Sequence, residues 1–311
     1  MMISLKKVVY SFSLSLLLIL LVFVAPLGVY AQSTTEAKEF IDVDKKVDLS
    51  IKYEYEDLKL NNVDVKMYYV ASVSEDFQYK LSSDFSKYSI KLNGIKNDSD
   101  WNNVKQTLES YVVADKIDAT VEAEVKDSMV VADDLKTGLY LVITENIDEE
   151  DYILQFDSFL ISLPFLNENG YYDYEVKAEP KPINYEPKFE DVTYSVVKVW
   201  HDDCVDRPTS VEIEIFKDGE FVEKQVLSSE NSWTHTWDTI DDGSQWVVVE
   251  RNVPEGYHVF TLVDGFHFTV VNSLFVNPGT SDNITGSVLV FVIALVVLMG
   301  VGVYLVAKKR S

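Results

Sequence analysis

Three residues far apart in the chain have the types needed for one self-directed reaction: Lys198, Glu250 and Asn272. Lys198 lies in Ser195-Val196-Val197-Lys198-Val199-Trp200. Glu250 ends the run Trp246-Val247-Val248-Val249-Glu250, and Asn272 ends Phe266-His267-Phe268-Thr269-Val270-Val271-Asn272. In a strand, residues two apart share a face. Lys198 then sides with Val196 and Trp200, Glu250 with Trp246 and Val248, and Asn272 with Phe266, Phe268 and Val270. Each strand sends one polar group among apolar ones. Buried polar groups without partners are costly, so the three should meet.

In a dry pocket such groups can react. Burial disfavours the ammonium form of Lys198 and leaves a neutral amine nucleophile. The same burial keeps Glu250 protonated. The acid can then hydrogen-bond the Asn272 amide oxygen, polarise the carbonyl carbon and shuttle protons. Ammonia leaves, and an amide joins Lys198 to Asn272, with proximity supplying most of the acceleration. The residues by themselves equally allow an unreacted polar triad or an ordinary Lys–Glu ion pair.

The elements that would position this triad read as β-strands. Alternating runs recur at Val63–Tyr68, Leu139–Ile143 and Val211–Phe216, separated by turn signals such as Lys217-Asp218-Gly219-Glu220 and Asn167-Glu168-Asn169-Gly170. Short strands at this spacing predict sandwiches. One segment differs. Asp98-Ser99-Asp100, followed by Trp101, Val104, Leu108 and Val112, has helical spacing with an Asp or Ser N-cap, and predicts a helix packed on the first domain. Pro180, Pro182 and Pro187 mark a stiff boundary between two domains and disfavour a paired central strand there.

At these residues a resemblance becomes plain. Lys198-Val199-Trp200 with Asp202-Asp203, Arg207–Val211, Asn231–Trp237, Glu250 with Val253-Pro254-Glu255-Gly256-Tyr257, and Phe268–Asn272 together resemble a collagen-adhesin B-type (Cna B) domain over residues 192–273. The resemblance implies an intramolecular isopeptide bond between Lys198 and Asn272, with Glu250 as the catalytic carboxyl. The first half resembles the N-terminal domain of Gram-positive pilin subunits through Met67–Val73, Lys136–Val142, Phe159–Pro164 and Tyr172–Val176. Glu145 occupies the place of the pilin E-box glutamate. The last strand, Tyr172–Lys177, holds no Asn acceptor, so Glu145 reads as a surface or capping residue. Pilins polymerise through a lysine in Tyr-Pro-Lys-Asn. Here Glu179-Pro180-Lys181-Pro182 keeps the Pro-Lys pair and makes Lys181 the candidate linking lysine.

Both ends of the chain carry export signals. Lys6 and Lys7 precede the apolar stretch Leu16–Val24, and Val29-Tyr30-Ala31 fits a cleavage site, so residues 1–31 read as a signal peptide. Near the other end, Asn277-Pro278-Gly279-Thr280-Ser281 precedes an apolar run from 288 to 307 and the basic stub Lys308–Ser311. The run has membrane-spanning length, and the stub resists translocation. The three parts resemble a cell-wall sorting signal of the Asn-Pro-x-Thr type, with cleavage by a sortase between Thr280 and Ser281.

The formal charge of −24 argues against nucleic acid and anionic lipid as partners. The single cysteine, Cys204, allows no internal disulfide. The four histidines have no metal spacing. Asp202, Asp203 and Asp206 read as a polar turn rather than a calcium loop. No nucleophile elbow or phosphate loop is present, and no cofactor is implied.

The fold expectation is all-β: two immunoglobulin-like β-sandwich domains in tandem, the first with one added helix, plus the signal peptide and C-terminal transmembrane helix. The expected order is a pilin-type domain (36–180), a linker (181–190), a Cna B-type domain (191–273), a spacer (274–287), the membrane helix (288–307) and the tail (308–311). The functional expectation is a structural or adhesive protein of the Gram-positive cell surface, not an enzyme. Its partners would be sortase, peptidoglycan or neighbouring subunits, and a host or cell-surface ligand. The alternative is a receptor retained in the membrane that displays its first domain.

Overall fold

The computed structural model describes residues 40–148, 152–203 and 207–274. The signal peptide, the sorting motif with Thr280 and Ser281, the 288–307 span, Cys204 and Asp206 lie outside them. Among the described residues, no helix is long and apolar enough to cross a membrane. Those residues are mostly strand, with one α-helix among them.

The first half runs β1 (Val47–Lys52), β2 (Asp64–Val73), β3 (Tyr79–Leu81), α1 (Asp98–Asp115), β4 (Val121–Glu124), β5 (Met129–Leu135), β6 (Gly138–Thr144) and β7 (Ile147–Asp148). It continues with β8 (Ile153–Phe156), β9 (Phe159–Leu163), β10 (Phe165–Leu166), β11 (Tyr172–Asp173), β12 (Glu175–Ala178) and β13 (Pro182–Tyr185). One sheet has the order β3-β2-β6-β9, with β4 also on β2, and a second has the order β12-β1-β5. Leu49 and Ile51 of β1, Val65 and Met67 of β2, and Val142 of β6 share one buried core. β2 begins with the expected alternation, Val65 and Met67 in and Lys66 out. β6 instead is buried along both faces, because Leu139 and Leu141 belong to a second core that includes α1. Gly138 opens β6 at φ 150°, where a Cβ would stand 2.3 Å from the Ala71 carbonyl oxygen. Only glycine fits that approach.

The second half runs β14 (Asp191–His201), β15 (Ser210–Lys217), β16 (Glu220–Ser228), β17 (Thr234–Ile240), β18 (Trp246–Glu250), β19 (His258–Asp264) and β20 (His267–Ser273). Its two sheets have the orders β17-β14-β20-β19 and β16-β15-β18. They face each other: Tyr194 of β14 packs against Trp246 of β18, ring centroids 5.3 Å apart. β14 and β20 pair in parallel, with Lys198 opposite Val270 and Trp200 opposite Asn272. The turn expected at Lys217–Glu220 is a two-residue hairpin loop with positive φ at Asp218 (51°) and Gly219 (75°).

Three features depart from the sequence reading. The helix N-cap is Asn97, not Asp98, Ser99 or Asp100; its side chain accepts from the Asp100 N–H. The helix also does not serve the first half alone. Leu108 and Tyr111 belong to a buried cluster that runs from Val70 and Leu141 to Ile213, Val248 and Val259. The described residues accordingly form one compact unit. Helical periodicity shows that a face is apolar but not which partner covers it. The stretch read as a linker contains β13, which pairs antiparallel with β8 from Pro182 opposite Phe156 to Tyr185 opposite Ile153. β13 is an edge strand and Pro182 its first residue, the place where a strand tolerates a missing N–H.

Candidate functional site

The two-residue period, enforced by apolar neighbours, turns Lys198 and Asn272 inward from one sheet and Glu250 inward from the other. The structure brings all three together. Lys198 Nζ lies 3.5 Å from Glu250 Oε2, and both side chains are completely shielded. Asn272 Nδ2 donates to Glu250 Oε1 at 2.7 Å, and Asn272 is fully buried. The Lys198 amine also donates to the backbone carbonyls of Val199 (3.0 Å) and Val270 (3.2 Å) and sits 4.4 Å from the centroid of the Trp200 ring. Trp200 is held edge-on by Trp233 and Tyr257.

Burial dominates the electrostatics. Desolvation pushes the Lys198 amine down to about 8 against the pull of Glu250. Desolvation likewise pushes the Glu250 carboxyl up, against Lys198 and Asn272. Both move toward their neutral forms. Two buried atoms here have no hydrogen-bond partner among the described residues, Glu250 Oε2 and Asn272 Oδ1. Buried polar atoms are normally satisfied, so each asks for a reason. A half-turn of the Asn272 amide exchanges Oδ1 and Nδ2 and presents its carbonyl oxygen to Glu250. A protonated Glu250 could then donate to it.

The other sequence candidates lie apart. Lys181 is exposed just before β13, its carbonyl accepting from the Asp157 N–H at 3.2 Å. Glu145 is exposed just past β6. Asp202, weighed above as a cation ligand, binds Arg207 through Nε at 2.8 Å and accepts from the Tyr257 hydroxyl at 2.7 Å. Sequence reasoning found one neighbour of the triad and missed another. Trp200 was legible as a residue of the Lys198 face. Tyr111, whose hydroxyl donates to the Glu250 carbonyl at 2.9 Å, comes from α1 and left no signal near Glu250 in the chain.

Comparisons with known proteins address the second half most directly. Residues 194–273 match the family described as Cna protein B-type domain, where the sequence resemblance was drawn over 192–273. A collagen adhesin of Staphylococcus aureus is 32% identical over 83 residues, covering 25% of this chain and 7% of that protein's length. Among solved structures, a single B repeat unit of the collagen-binding surface protein Cna of Staphylococcus aureus is 15% identical. It covers 74% of this chain and 98% of its own, with a TM-score of 0.25. The major pilin SpaD of Corynebacterium diphtheriae is 15% identical, covering 75% of this chain and 66% of its own, with a TM-score of 0.29. Overlaps this low do not define the fold of either half.

Proposed function

We propose that the protein is a structural or adhesive component of a Gram-positive cell surface, stabilised by an isopeptide bond that its own residues form between Lys198 and Asn272. What carries this reading is the shielded contact of Lys198, Glu250 and Asn272, all within the stretch that matches the Cna B-type family. The neutral Lys198 amine attacks Asn272 Cγ while the Glu250 acid donates to Oδ1. Glu250 then takes a proton from the attacking nitrogen and delivers it to Nδ2; ammonia leaves as the carbonyl re-forms, and Oδ1 returns its proton to Glu250. One C–N bond forms and one breaks, with no outside reactant. Val199, Val270 and Trp200 fix the amine, so the two ends meet without a search.

The remaining roles complete the proposal: export through residues 1–31, then sortase cleavage after Thr280 and attachment to peptidoglycan or to a neighbouring subunit through Lys181. Tryptic mapping of the protein tests the core of it. A branched peptide joining the Lys198 and Asn272 segments is expected. Recovery of both segments as separate linear peptides overturns the bond.

A further inference from the structure

Glu250 ends β18, an edge strand whose one sheet partner is β15. Edge strands carry backbone groups that the ladder leaves open. At Glu250 the first half of the chain fills that role, through the buried 2.9 Å hydrogen bond from Tyr111 of α1 to its carbonyl. The Tyr111 ring is fixed by stacking on Tyr88, centroids 4.0 Å apart and planes 21° from parallel. The next residue, Arg251, donates to Asp115 at the end of the same helix at 2.6 Å. Two consecutive residues, the last of β18 and the one after it, are thus gripped by α1, Glu250 through its backbone and Arg251 through its side chain. The Glu250 carboxyl meanwhile reaches Lys198 and Asn272 inside the sandwich.

We infer that Tyr111 is a positioning residue for the Lys198–Asn272 reaction, and that docking of α1 sets the end of β18 and with it the Glu250 carboxyl. The inference rests on the isopeptide reading and adds a control to it: the first half is a built-in folding partner for the half that cross-links. α1 precedes β18 in the chain, so during synthesis the helix that supplies the grip emerges before the strand it holds. A displacement of about 1 Å at a reacting group can cost on the order of a hundredfold in rate, so a clamp on the strand end matters.

The test uses the full chain made in a cell-free reaction. Samples are stopped in denaturant at intervals, and the fraction of Asn272 in the branched peptide is followed. Tyr111→Phe keeps the ring stack and removes the hydroxyl. It is expected to slow linkage about fivefold, the size of one buried hydrogen bond. Gln106→Ala is the comparator. It removes the Gln106 hydrogen bonds to the Val263 N–H (3.2 Å) and carbonyl (3.4 Å), which also tie α1 to the second half but at β19. It is expected to leave the rate unchanged. Equal slowing in both variants would mean that α1 docking in general matters and Tyr111 has no positioning role. Wild-type rate in Tyr111→Phe would overturn the inference while leaving the bond intact. No branched peptide in the wild type would overturn the isopeptide reading itself, and the inference with it.

Discussion

Lys198 Nζ and Glu250 Oε2 stand 3.5 Å apart with no solvent access to either side chain. As an ion pair they would bear the desolvation cost of two charges, which attraction in such a setting often fails to offset. As amine and acid they are the nucleophile and the proton donor that an amide exchange at Asn272 needs. If the bond forms, it closes the loop from 198 to 272, and a closed loop of that length stabilises by roughly 4 kcal/mol. Asn272→Ala should therefore lower the melting temperature by about 10 °C. Scanning calorimetry checks this, and an unchanged transition would speak against a stabilising link.

Arg251 joins the two halves. It donates to Asp115 of α1 and, through Nε at 2.6 Å, to Glu214 of β15. Burial alone would raise the Asp115 carboxyl, yet hydrogen bonds from Tyr88, Arg251 and Lys87 hold it below its ordinary value. Arg251→Ala should cost about 2 kcal/mol in denaturant unfolding, since it strips charge-assisted bonds from two carboxylates. Lys116→Ala, which breaks an exposed pair with Glu220, should leave stability unchanged.

Acid should weaken the molecule through Asp242. The Lys217 amine, 2.7 Å away, holds this carboxyl down to about 2. A carboxyl whose folded pKa is depressed adds stability above its unfolded value, and loses it as pH falls through the folded one. That window runs from about pH 4 to pH 2. Both side chains are about one-third exposed, so screening holds the effect to about 1 kcal/mol. Lys217→Met should flatten the pH dependence of unfolding in that window. An identical slope in the variant would assign the acid sensitivity elsewhere.

Surface attachment is checked by fractionating cells with a muralytic enzyme. Release without detergent, with the chain ending at Thr280, is the expected result. Detergent-dependent release with residues 282–311 still attached would mean membrane retention and the receptor alternative. If subunits join, a denaturant-resistant ladder should appear on blots and vanish in Lys181→Ala. A ladder that survives the substitution would exclude Lys181 as the linking residue.

The triad was legible because three strands each break an apolar alternation with one polar residue, and because the two-residue period is rigid. The β-rich character and the Lys217–Glu220 hairpin were legible for similar local reasons. What lay beyond the sequence was tertiary. The α1 segment announced a helix through Val104, Leu108 and Val112. Nothing in that pattern said that Thr107 would accept from the Thr261 N–H at 2.8 Å, or that Tyr111 would reach Glu250. The prolines of 180–187 signalled a stiff segment. The pairing of β13 with β8 depends on an edge that only the folded first half presents.

The intact mass of the folded protein decides the central claim. Loss of one ammonia makes it about 17 Da lighter than its sequence requires once export processing is accounted for. Glu250→Gln and Asn272→Ala should each restore the missing mass, the first by removing the proton shuttle and the second by removing the acceptor. Full sequence mass in folded wild-type protein would contradict the account and leave Lys198, Glu250 and Asn272 as an unreacted buried triad.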